Sequence, residues 1–72
     1  MLAAEATFAE QIDTAITSNP YLSGRRVRIE TEDGRVVLLG TVGTYYQKQM
    51  AQEAIRRVAG VRGIDNRLTV LA

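Results

Sequence analysis

The dipeptide Asp33-Gly34, set between two runs of alternating apolar residues, limits what this chain can fold into more than any other feature. Both central residues of a type I′ turn need positive φ, which Gly adopts freely and Asp tolerates, so the pair predicts a two-residue β-hairpin. Ahead of the turn, Arg25 to Glu32 alternates. Val27, Ile29 and Thr31 fall on one face, and Arg26, Arg28, Glu30 and Glu32 on the other. Behind it, Val36, Leu38, Gly40 and Val42 occupy every second position. A turn at Asp33-Gly34 sets Glu32 opposite Arg35, Thr31 opposite Val36, Ile29 opposite Leu38 and Val27 opposite Gly40. That register gathers the apolar side chains on one face and pairs opposite charges across the strands. A slip of one residue would undo both agreements.

Helical spacing flanks the hairpin on both sides. From about Ala4 to Ser18 the apolar residues Phe8, Ile12, Ala15 and Ile16 recur with helical period, and Thr7 with Glu10 forms a candidate capping box. Asn19-Pro20 ends this helix, because proline disfavours helical geometry in the residue before it. Tyr21 and Leu22 are expected to cover one end of the core in a connection that closes at Gly24. A second helix opens at Thr44, with Gln47 as the other half of its capping box. Its apolar stripe is Tyr46, Met50, Ala51, Ala54, Ile55 and Val58, which leaves Gln47, Lys48, Gln49, Gln52, Glu53, Arg56 and Arg57 to solvent. Glu53 and Arg57 stand in the better i,i+4 order for an ion pair. Gly60 is placed to end the helix in left-handed geometry. A last strand follows, with Ile64, Leu68 and Val70 on one side and Asp65, Arg67, Thr69 and Leu71 on the other.

The order is α-β-β-α-β. It predicts one α+β domain over residues 1–72, a three-stranded sheet with two helices packed on one face. Strand order stays open; a last strand beside the second would be parallel to it and make the sheet mixed. Seventy-two residues sit near the lower limit for a single unstapled core, and there is no cysteine to add a disulfide or a thiolate metal site. An apolar fraction of 46% with 24% charged residues is an ordinary globular balance. The net charge of +1 is too small to imply a polyanionic partner, so nucleic acid is not expected. No apolar run reaches the length of a membrane span. The N-terminus lacks the basic flank and apolar stretch of a secretory signal, so a cytoplasmic chain or an excised domain is expected.

Chemistry-bearing residues are sparse. There is no His or Cys, and Ser18 and Ser23 have no neighbouring base, so no enzyme is expected. Glu30, Glu32 and Asp33 cluster at the turn, yet arginines surround them and nothing raises a carboxylate toward neutrality. No ligand spacing suggests zinc or calcium, and no cofactor is implied. Gly60-Val61-Arg62-Gly63 matches the GxxG pattern of KH-type RNA-binding domains. Here it joins a helix to a strand, and chain reversal is the favoured reading. Gly34 and Gly40 read as structural, the first supplying positive φ and the second a close helix approach. Asn66, among the inward positions of the last strand, is expected to satisfy backbone groups at the sheet end.

Two surfaces carry the functional candidates. On the second helix, Lys48, Arg56 and Arg57 share the outward side with Tyr45. Solvation, with Glu53 neutralising part of the charge, is the default for such a face. The alternative is an aromatic-anchored basic surface resting on anionic headgroups. On the sheet face away from the helices, Arg26, Arg28, Arg35 and Arg67 accompany Val37, Leu39 and Leu71. Either the arginine stems shield those apolar groups, or a partner sheet does, from another copy or a different protein.

Several of these pieces together resemble the BON (bacterial OsmY and nodulation) domain. They are the helix ending near Asn19-Pro20, the strand Val27-Arg28-Ile29, and Gly34-x-Val36-x-Leu38-x-Gly40-x-Val42. Ala51…Ala54…Val58, Gly60-Val61 and Ile64-Asp65-Asn66-x-Leu68-x-Val70 complete the set in the same order. The resemblance implies two helices on a three-stranded sheet and a non-enzymatic module that associates with phospholipid membranes or envelope proteins. It further implies a bacterial setting, usually periplasmic or envelope-associated, linked to osmotic or envelope stress. Many members are exported and carry two copies of the domain; for this sequence the expectation is one copy without a leader.

Overall fold

In the computed structural model, residues 7–20, 22 and 27–71 are described, together with the backbone but not the side chain of Arg26. The elements are α1 (Phe8–Thr17), β1 (Arg26–Glu32), β2 (Arg35–Val42), α2 (Tyr45–Arg56), β3 (Gly63–Asn66) and β4 (Thr69–Val70). A start of the first helix before Thr7, a core role for Tyr21 and a loop end at Gly24 lie outside the described residues.

The hairpin forms in the expected register, from Arg26 opposite Thr41 to Glu32 opposite Arg35. Asp33 has φ 50° and Gly34 φ 83°, the two positive values that the turn demands. Space adds a second requirement at Gly34. A Cβ there would stand 2.7 Å from Arg62 Cδ and 2.8 Å from the Gly60 carbonyl oxygen. Gly40 also has positive φ, 119°. Its need for glycine therefore lies in its own backbone, a reason beyond the helix approach expected from the sequence.

β2 is the central strand: β1 pairs with it antiparallel, and β3 and β4 pair with it parallel. The expected third strand is thus two short strands in one line. Arg35 faces Gly63, Leu38 faces Asn66 and Thr41 faces Thr69, so the offset is the same before and after the break. Asn66 sits at the interruption. Its Oδ1 accepts the Leu68 N–H at 3.2 Å, a donor that strand alternation already points away from β2, since Arg67 N–H and Leu71 N–H on either side bond to β2. Its Nδ2 donates to the Lys48 carbonyl at 2.9 Å and to Gln52 Oε1 at 3.3 Å, tying the break to α2. The residue does satisfy backbone groups, in the middle of the sheet and not at its end.

Both helices are closed by reciprocal capping boxes, Thr7 with Glu10 and Thr44 with Gln47. The second corrects the expectation that Gln47 faces solvent. It is only 9% exposed, and its Oε1 accepts from Gly43 N at 2.7 Å and Thr44 N at 3.1 Å. Tyr46, read as part of the apolar stripe, is instead 54% exposed. α2 stops at Arg56 with Arg57 as its cap, so Gly60 does not itself end the helix; it turns left-handed (φ 94°) three residues after the cap, in the reversal that leads to β3. Ile12 and Ile16 of α1, Ala51 and Ile55 of α2, and Leu22 pack on Val36, Leu38, Val42 and Leu68 of the sheet. This single cluster puts both helices on one sheet face and leaves the other uncovered.

Candidate functional site

α2 presents its outer side because its inner positions fill the core at helical spacing. Tyr45 is 65% exposed beside the half-exposed Tyr46. Tyr45 and Lys48 line one open groove with Gln49, Gln52, Glu53 and Asn66. Arg56 and Arg57 are exposed but sit about 16 Å further along, at 1.5 Å per residue. Glu53 pairs with Arg56 at 3.3 Å, not with Arg57. The four helix candidates therefore divide into an aromatic end, Tyr45 with Lys48, and a distant arginine end.

Leu71 is the third large exposed apolar side chain among the described residues. Its N–H donates to the Val42 carbonyl at 2.9 Å, two residues before the Thr44 cap. The three apolar groups thus share one end of the molecule. The aromatic end bears no carboxylate in the first turn of α2, whereas α1 begins with Glu10. The Thr7 backbone N–H donates to Glu10 at 2.9 Å and holds its carboxyl below the usual carboxylate range.

The uncovered sheet face is built in rows across the strands. Glu32, Arg35 and Gly63 form one row, and Glu30, Val37 and Asp65 the next. Arg28 stands beside Leu39, and the constant offset carried through the break puts Arg67 on the other side. Arg26, Thr41 and Thr69 complete a fourth row. Val37 and Leu39 are half-buried, flanked by these charges. Glu30, Glu32, Arg35, Val37, Asp65 and Arg67 line one shallow depression, and Arg67 Nε lies 2.7 Å from Asp65 Oδ2. Leu71 lies beyond the fourth row, so the sheet-face candidates are joined by Glu30 and Asp65 in place of Leu71. Strand alternation places Glu30, Glu32 and Asp65 on this face with the arginines; the pairing adds which of them share a row.

The Gly60–Gly63 segment is a chain reversal docked on the hairpin. Arg62 N–H donates to the Gly34 carbonyl at 2.7 Å, and the Arg62 stem covers Gly34. Among the described residues no three His, Cys, Asp or Glu side chains gather as a metal site, and no helix is long and apolar enough to cross a membrane.

A small capped α+β domain whose distinctive groups all lie on open surfaces is built as a binding module. The model of the BON domain matches residues 4–72, and the chain belongs to that family. It is also similar to the osmotically-inducible protein Y of Escherichia coli (strain K12), with 30% identity over 66 residues. That match takes in 92% of this chain and 33% of the relative, so the chain spans about a third of that protein's length.

Proposed function

We propose that this domain is a non-catalytic module that docks on anionic phospholipid surfaces through the Tyr45–Tyr46 end of α2. The observation that carries the reading is the pair of adjacent tyrosines, 65% and 54% exposed, at the start of a helix with no first-turn carboxylate. Aromatic rings with a polar tip suit the headgroup boundary, where one side is apolar and the other wet. Lys48, one turn along, adds a cation where anionic lipid would lie. The positive end of the helix dipole works in the same direction. Arg56 and Arg57, about 16 Å away, stand beyond the Debye length of about 8 Å at physiological salt and contribute attraction at a distance.

Vesicle flotation tests this. Wild-type protein is expected to float with phosphatidylglycerol vesicles and not with phosphatidylcholine vesicles. Tyr45→Ser with Tyr46→Ser should abolish flotation. Arg56→Glu with Arg57→Glu should weaken it less than tenfold, since two contacting cations at about 1 kcal/mol each would be worth roughly thirtyfold. Equal binding to both lipids, or full binding by the tyrosine double variant, would sink the reading.

A further inference from the structure

The charges of the open sheet face are arranged so that the face complements itself in one orientation only. The row Glu30–Val37–Asp65 is acidic at both ends, and the adjacent row Arg28–Leu39–Arg67 is basic at both ends. Outside them, Glu32–Arg35–Gly63 is followed on the far side by Arg26–Thr41–Thr69. A two-fold axis lying between two facing sheets, across the strands and midway between Val37 and Leu39, exchanges these rows. It sets Glu30 over the second copy's Arg28, Asp65 over its Arg67 and Val37 over its Leu39. A two-fold along the strands does the opposite: Glu30 then meets Asp65, and Arg28 meets Arg67.

We infer that the uncovered sheet face docks on a second copy of this chain, with the strands of the two copies antiparallel. Aligned sheets pack face to face about 10 Å apart, and the Val37–Leu39 spine is apolar enough to fill the centre of such an interface. The intrachain Asp65–Arg67 pair, exposed on both sides, then exchanges for two equivalent pairs between copies. Three strands about 4.8 Å apart and four rows about 6.8 Å apart give a face of roughly 400 Å² in projection. A standard stable interface needs about 800 Å² per partner. The dimer is therefore weak, concentration-dependent and weakened by salt. This inference is independent of the lipid reading, because α2 packs on the opposite side of the sheet.

Sedimentation equilibrium and NMR dilution of the purified domain test it, up to about 1 mM, where a Kd of that order gives substantial pairing. Arg28→Glu with Arg67→Glu makes both central rows acidic, and Glu30→Arg with Asp65→Arg makes both basic. Each variant alone is expected to stay monomeric where the wild type pairs, and an equimolar mixture of the two should pair again. Orientation is read with a spin label on Glu32→Cys in an unlabelled copy mixed with an isotope-labelled copy. Broadening is expected at the partner's Thr41 and Thr69. Broadening centred on its Gly63, a monomeric wild type at about 1 mM, or unimpaired pairing by either variant alone overturns the inference.

Discussion

Replacing Asn66 by Ala should cost more than any other exposed-to-half-buried polar substitution in this domain. The side chain makes three hydrogen bonds at once, to Leu68 N, the Lys48 carbonyl and Gln52 Oε1. These are not equal losses. The Leu68 N–H would be left part-buried without an acceptor, a cost of about 1–3 kcal/mol. The Lys48 carbonyl keeps the bond that the helix gives it and forfeits about 1 kcal/mol. Gln52 is exposed and turns to water at almost no cost. The sum is about 2–4 kcal/mol, which in a domain of this size lowers Tm by about 10–30 °C. Urea unfolding followed by circular dichroism measures it, with an unchanged m-value as the control for two-state behaviour. Asn66→Asp separates the parts: it keeps the acceptor for Leu68 but turns an oxygen toward two acceptors. It should be as unstable as Asn66→Ala at neutral pH and recover on acidification, when the protonated carboxyl can donate again. A loss below about 0.5 kcal/mol for Asn66→Ala would refute the argument that this side chain holds the strand break to α2.

Two glycines give opposite expectations. Gly34→Ala meets positive φ and a backbone carbonyl at 2.8 Å, and should lose about 1–3 kcal/mol in the same urea assay. Gly63→Ala meets no atom within 4 Å and should be neutral or gain up to about 1 kcal/mol; equal effects would refute the steric account. At Glu10 the folded carboxyl titrates below its ordinary value of 4.5, so its contribution is present above that pH and is lost as pH falls through the lowered value. Glu10→Gln should flatten the acid limb of the Tm–pH profile and leave the neutral region nearly unchanged. An unaltered limb would mean that the cap bond does not couple to folding.

The hairpin was readable residue by residue because one turn type fixes the whole register, and the alternation of Val27 to Thr31 agrees with it. The capping boxes were readable for the same reason: Thr7–Glu10 and Thr44–Gln47 are local. What escaped depends on contacts distant in sequence. Nothing near Asn66 says that its amide will reach Lys48, so the break between β3 and β4 was invisible. Gln47 was assigned to solvent because a helical wheel sorts by polarity and ignores caps, and the same wheel put Tyr46 inward at the margin of the stripe. On the candidate surfaces, the separation of Tyr45 from Arg57 follows from helix rise alone and could have been drawn. The approach of Leu71 to the α2 cap needed the parallel pairing of β4 with β2.

The divided last strand also governs what this protein can do when crowded. An unbroken strand from Gly63 to Val70 would offer a long bare edge, a template on which further chains could add without limit. Instead that border is one piece of four residues and one of two, with Leu68 N–H already engaged by a side chain. The opposite border, β1, carries a charged residue at every second position from Arg26 to Glu32. An incoming strand finds only short pieces on the first border and a charged one on the second, so edge-on addition is disfavoured at both. Asn66, by engaging an edge donor, adds to that protection as well as to stability.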